Sequence, residues 1–168
     1  MIKRQRVGMA LASAVALAIG SGSAWADSDD CGRVGTWFGA ASNGMTWLAT
    51  DSPGTSATAG QMTLEWVKIP PNFFYYGAGH LTNGKGNWVK VRHGEYKYSY
   101  VAYGVDTSTP LTVGVQPVYM FRVTGTAILA DCDHVETDYA VEFFYPAESP
   151  TPIPIPGGTA TETRMPLP

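Results

Sequence analysis

Asp131, Asp133, His134, Glu136 and Asp138 form the densest group of titratable side chains, within ADCDHVETD. Carboxylate and imidazole donors this close together could serve a calcium or transition-metal ion. The spacing D-x-D-x-x-E completes no calcium-binding loop, and Cys132 interrupts it. Aspartates are also what a tight turn selects, so no metal ligand is assigned. His80 and His93 stand apart from the group. No G-x-S-x-G elbow, Walker loop, H-E-x-x-H or paired Cys/His pattern occurs. No catalytic residue and no cofactor is therefore assigned.

The stronger signal is apolar. Trp37, Trp47, Trp66 and Trp88 accompany a tyrosine row, Tyr96, Tyr98 and Tyr100, and the pair Phe121/Phe143. Trp66, Tyr98, Tyr100, Phe121, Tyr139 and Phe143 are the candidate wall of an interior site for a small, mostly apolar ligand, since such sites are aromatic-lined with few polar groups. The same residues also fill cores, so a structural or surface-interaction module without ligand is the alternative. A third reading is a barrel cyclase or isomerase in which one Tyr or Glu polarises an apolar substrate.

These side chains need strands to hold them. The stretch 118–145, VYMFRVTGTAILADCDHVETDYAVEFFY, is two alternating runs around a polar loop, a hairpin signal. Tyr119, Phe121, Val123, Gly125, Ala127 and Leu129 share one face; Arg122, Thr124 and Thr126 share the other. A period of two with one apolar side predicts a sheet wet on one face only. Setting Leu129 opposite Val135 places Val123 opposite Val141, Phe121 opposite Phe143 and Arg122 opposite Glu142. It also places Gly125 opposite Tyr139, whose ring can cover the bare backbone. In this register Arg122 points outward to Glu142. An inward Arg122 or Arg164 would instead meet a ligand carboxylate.

Further strands are expected over 34–39, 45–50, 61–69, 87–92 and 95–104, with a loop over 51–60 (DSPGTSATAG) and a last strand over 159–165. The aromatic, glycine-rich stretch 73–81 would border a cavity mouth as a lid. Short strands at this spacing predict an all-β fold, an up-and-down antiparallel β-barrel of about eight strands.

Residues 1–26 carry Lys3, Arg4 and Arg6, an apolar run, and Ser23-Ala24-Trp25-Ala26. That is the pattern of a secretory signal peptide cut after Ala26. The barrel domain is expected over 27–147, followed by a Pro-rich tail with a closing strand over 148–168. Three basic residues leave with the signal while all 14 acids stay, so the mature chain is more acidic than the formal charge of −3. That balance argues against nucleic acid and anionic membrane surfaces as partners. After the signal no run is long and apolar enough to span a bilayer. A periplasmic or extracellular location is expected, and there Cys31 and Cys132 read as a disulfide.

Several short motifs fall together in the second half: GNWVKV, YKYSYVAYGVD, PVYMFRVTGTAILADCD and TATETRMPL. Their residues Trp88, Asp106, Arg122, Gly125, Asp131, Asp133 and Arg164 resemble those of a group of exported bacterial proteins of calycin-like, lipocalin-like barrel form. Gly35-Thr36-Trp37 likewise resembles the lipocalin opening G-x-W. The resemblance covers about half the chain and implies a calycin-like fold; the group has no established activity to pass on.

Overall fold

The computed structural model describes residues 31–166 apart from 57, 74, 75, 77 and 109–115. The expected signal peptide and most of the 106–116 connection lie outside the described residues. The strands are β1 (Gly35–Ala41), β2 (Thr46–Ser56), β3 (Ala59–Lys68), β4 (His80–Leu81), β5 (Gly84–Arg92), β6 (Glu95–Asp106), β7 (Gln116–Leu129), β8 (His134–Phe144) and β9 (Ile153–Arg164). A 3-10 turn covers Pro71–Phe73. No helix among the described residues is long and apolar enough to cross a membrane.

Every pairing is antiparallel. The two-residue β4 pairs with the end of β6 just beyond the reach of β5, so β4 and β5 occupy one position. Each position then neighbours the next along the chain, and β1 pairs with β9. Eight strands thus close in a ring with up-and-down connectivity.

The β7–β8 hairpin has the expected register: Leu129 opposite Val135, Val123 opposite Val141, Phe121 opposite Phe143 and Arg122 opposite Glu142. Arg122 Nε donates to Glu142 Oε2 at 2.6 Å on the outer surface, an exposed pair that contributes little. A one-residue slip would turn the buried face to solvent, so the apolar parity fixes the register.

Three expectations are corrected. The stretch 51–60 is no free loop, because β2 runs on to Ser56 and β3 starts at Ala59. Past Asp51, β2 pairs only with β3; on such an edge Pro53 costs no ladder bond. The closing strand is present but starts earlier than residue 159: β9 begins at Ile153 and pairs with both β8 and β1. Gly125 is covered by the ring of Tyr98 on β6, not by Tyr139, and the Tyr139 ring lies against Gly158.

The glycine contact recurs around the ring. Gly39 faces Trp47, Gly60 faces Trp88, Gly104 faces Tyr119 and Gly125 faces Tyr98, and Gly158 faces Tyr139. In each case a Cβ on the glycine would collide with the ring opposite. Large rings therefore lie flat on the inner wall, and the bare backbone beneath makes their room.

One end of the ring is sealed. Cys31 and Cys132 are bonded with Cα atoms 5.0 Å apart, tying the chain's entry to the β7–β8 turn. Arg164 locks the same end, donating to the carbonyls of Cys132 at 2.7 Å, Val34 at 2.8 Å and Gly32 at 2.6 Å. Its guanidinium also stacks on the buried Trp37 ring, 4.2 Å from the centroid.

Two stability outcomes follow. Gly39→Ala, which drives a methyl into the Trp47 ring, should cost about 1–3 kcal/mol by overpacking. Thr163→Ala on the wet face should stay within about 0.5 kcal/mol. Urea unfolding midpoints compare the two. Replacing both cysteines by Ala should cost up to about 4–5 kcal/mol in the chain-entropy account, given the sequence separation of 101 residues; the same titration reads it.

Candidate functional site

The inward faces of the strands surround one apolar cavity. Trp66, Tyr98, Tyr100, Phe121, Tyr139 and Phe143 all stand in its wall, joined by Trp47, Met45, Met62 and Leu64. Trp66 lies 6.3 Å from Tyr100 and 6.2 Å from Phe121, ring centroid to centroid. Its indole N–H donates to the Thr82 carbonyl at 2.8 Å, which fixes the ring. Tyr98 and Tyr100 stack at 6.4 Å with planes 9° apart. The space open to the centre of a water molecule is about 50 Å³. That is room for on the order of four waters, against about 150 Å³ in an apolar cavity that takes benzene.

The cavity ends downward on buried charge. Glu162 on β9 is in its wall. Glu162 Oε1 accepts from the Trp47 indole at 3.1 Å, and Oε2 meets the Arg33 guanidinium at 2.5 Å. Arg33 Nε also contacts Asp51 Oδ2 at 2.6 Å. Arg33, Asp51 and Glu162 are 2%, 2% and 4% exposed. The Arg33 carbonyl takes the Trp37 indole N–H at 2.8 Å, so the arginine is held from both ends. Two carboxylates share this one guanidinium. Burial pushes Asp51 up to about 7, with Glu162 adding repulsion and Arg33 opposing the rise. Burial also works against the Arg33 charge, but the two carboxylates outweigh it and hold its pKa above the ordinary value.

Tyrosine hydroxyls supply the other polar groups. Burial pushes Tyr98 up to about 12, although a hydrogen bond with Thr137 lowers it. Burial likewise raises Tyr100 well above its ordinary value, with Tyr98 adding to the rise. At the opposite end from the disulfide, the wall includes Ala41, Asn43, Phe73 and Ile155. There the Tyr139 hydroxyl is hydrogen-bonded to Ser42 across Gly158. Tyr119 donates to the Phe73 carbonyl at 2.7 Å. The expected lid, 73–81, is partly ordinary wall: Leu81 is fully buried in β4, and Ala78 is buried beside it. Residues 74, 75 and 77 lie outside the described residues.

The acidic group is elsewhere. Asp131, Asp133, His134, Glu136 and Asp138 are all exposed on or beside the β7–β8 turn. Asp131 accepts the Asp133 N–H at 2.8 Å and contacts His134 Nδ1 at 2.8 Å. These two bonds, the backbone one first, hold its carboxyl below the ordinary range. Among the described residues no three His, Cys, Asp or Glu side chains are grouped to hold a metal ion. His80 and His93 are exposed and separate.

Sequence reasoning did not single out Arg33, Asp51 or Glu162. A signal existed for two of them. Trp47, Ala49 and Asp51 share one parity on the second strand, as Ala160, Glu162 and Arg164 do on the last. A carboxylate at the inward parity needs a buried partner.

No protein-family model matches the chain, and the search of curated proteins finds no relative.

The shared guanidinium sets a pH dependence. Asp51 moves from an ordinary 3.8 to about 7, so the folded state binds its proton more tightly than the unfolded state. The stability this group contributes is full below about pH 4, is lost as pH rises through about 7, and is flat beyond. Asp51→Asn should remove that component. The melting temperature of the variant, minus that of the parent, should rise between pH 5 and pH 8; a constant difference would contradict the assignment.

Proposed function

We propose that the protein is an exported, calycin-like β-barrel that takes a small, mostly apolar group into its interior. The observation that carries this reading is the continuous aromatic wall meeting a few convergent polar groups, the arrangement typical of ligand pockets. The closed end bears the disulfide and Arg164, so entry is at the end bordered by Asn43, Phe73 and Ile155. The free space of about 50 Å³ limits the inserted group to a few heavy atoms unless Met45 and Met62 move. Thioether side chains adapt more readily than branched ones.

The small volume equally favours a second reading, a packed structural or surface-interaction module. Tryptophan fluorescence separates the two. Small apolar probes, n-butanol and cyclopentane, should shift the emission saturably through Trp66. Trp66→Phe should remove most of the shift. An emission unchanged by every small probe leaves the packed module as the function.

A further inference from the structure

We propose that the cavity is a site for a small primary amine with an apolar body, its ammonium seated at Glu162 against the faces of Tyr98, Tyr100 and Trp47. This rests on the reading of the interior as a ligand site and names the class of ligand. No Lys, Arg or His is in the cavity wall, and Glu162 is its one charged side chain among the described residues. An anionic ligand such as a fatty acid would bring a second negative charge beside a carboxylate in a dry interior, where like charges repel strongly.

The charge count points the other way. Glu162 and Asp51 share Arg33, and all three are buried. Asp51 Oδ1 has no hydrogen-bond partner among the described residues. The next cation, Arg164, donates to three carbonyls, lies on the Trp37 ring and has its charge paired with the exposed Asp133 at 3.7 Å. With both carboxylates ionised the interior therefore holds one negative charge too many, and burial makes that costly. A proton on Asp51 satisfies it near neutral pH. An ammonium ion at Glu162 would satisfy it as well, and its arrival would return that proton to solvent.

The walls suit a cation. Tyr98 and Tyr100 stack with parallel planes, and the Trp47 indole is held to Glu162 by its N–H. Aromatic faces are electron-rich and attract ammonium groups, more so when desolvated. The free volume admits a primary ammonium on a short alkyl stem and excludes a bulky quaternary one.

Calorimetry on the full mature protein at pH 7 tests this with three probes of one shape: n-butylamine, n-butanol and butyrate. The amine should bind about tenfold or more tighter than the alcohol, and butyrate should not bind. The amine heat should vary with the ionisation enthalpy of the buffer, reporting the released proton. Asp51→Asn lies outside the cavity wall; it should lower amine affinity at least fivefold, abolish the proton release and leave butanol unchanged. Should that variant not fold, the parent protein gives the same information. The charged groups facing Asp51 are Arg33, Glu162 and Arg164, and the amine preference should shrink as the pH falls from 7 to 5. Butanol binding with no amine preference, or a preference unaltered by both Asp51→Asn and pH, overturns the inference and leaves the apolar-ligand reading standing. Failure of all three probes overturns both.

Discussion

An eight-strand ring has an interior of nearly fixed width, just enough to be filled by side chains. This chain sends an unusual share of large rings into that space. They fit because glycines stand opposite them: Trp47 on Gly39, Trp88 on Gly60, Tyr119 on Gly104, Tyr98 on Gly125 and Tyr139 on Gly158. A ring lying along the wall takes little of the central width, whereas one pointing at the axis would block it. The residual cavity exists because of these contacts. The same contacts place Trp47, Tyr98, Tyr119 and Tyr139 in its wall.

The buried charge depends on this packing. Trp47, laid flat on Gly39, brings its indole N–H to Glu162 on the strand beyond. Trp37 binds the Arg33 carbonyl and carries the Arg164 guanidinium on its face. Two tryptophans thus orient both the arginine that enters the ring and the arginine that closes it. Buried ion pairs often do little for net stability. Here the excess of one carboxylate also leaves the interior dependent on a proton, so the floor is chemically responsive in a way an apolar floor would not be.

Parity made much of this legible in the sequence. The β7–β8 register, the outward Arg122–Glu142 pair and the inward aromatic row all follow from a period of two, because one buried face tolerates no slip. Taking Pro and Gly as breakers makes strands too short: Pro53 and Pro154 sit in strands that are edges at those positions. The partner of Gly125 could not be read, since Gly125 lies between Tyr98 and Tyr139 in the ladder. Along Tyr98, Gly125, Tyr139 and Gly158 the rings lean the same way, each over the next glycine. Direction of lean is a tertiary property absent from the alternation. Arg33 gave no signal because it precedes the first strand; its role follows from two carboxylates that alternation places inside.

The two ends of the ring are held differently. At the closed end, covalent and ionic links converge within a few residues: the disulfide, the Arg164 clamp and the Arg33 network. At the other end the strands separate. Residues 153–158 of β9 have β8 on one side and no paired strand on the other, since β1 joins β9 only from Ala160 onward. An unpaired strand beside an aromatic interior invites another chain to add to it. Pro154 and Pro156 bring no N–H to such an addition, and beside them Ser42 is bonded to Tyr139 through its side chain and donates its backbone N–H to the Thr159 carbonyl at 2.9 Å. The prolines therefore keep residues 153–158 of β9 from offering a full ladder to an added strand.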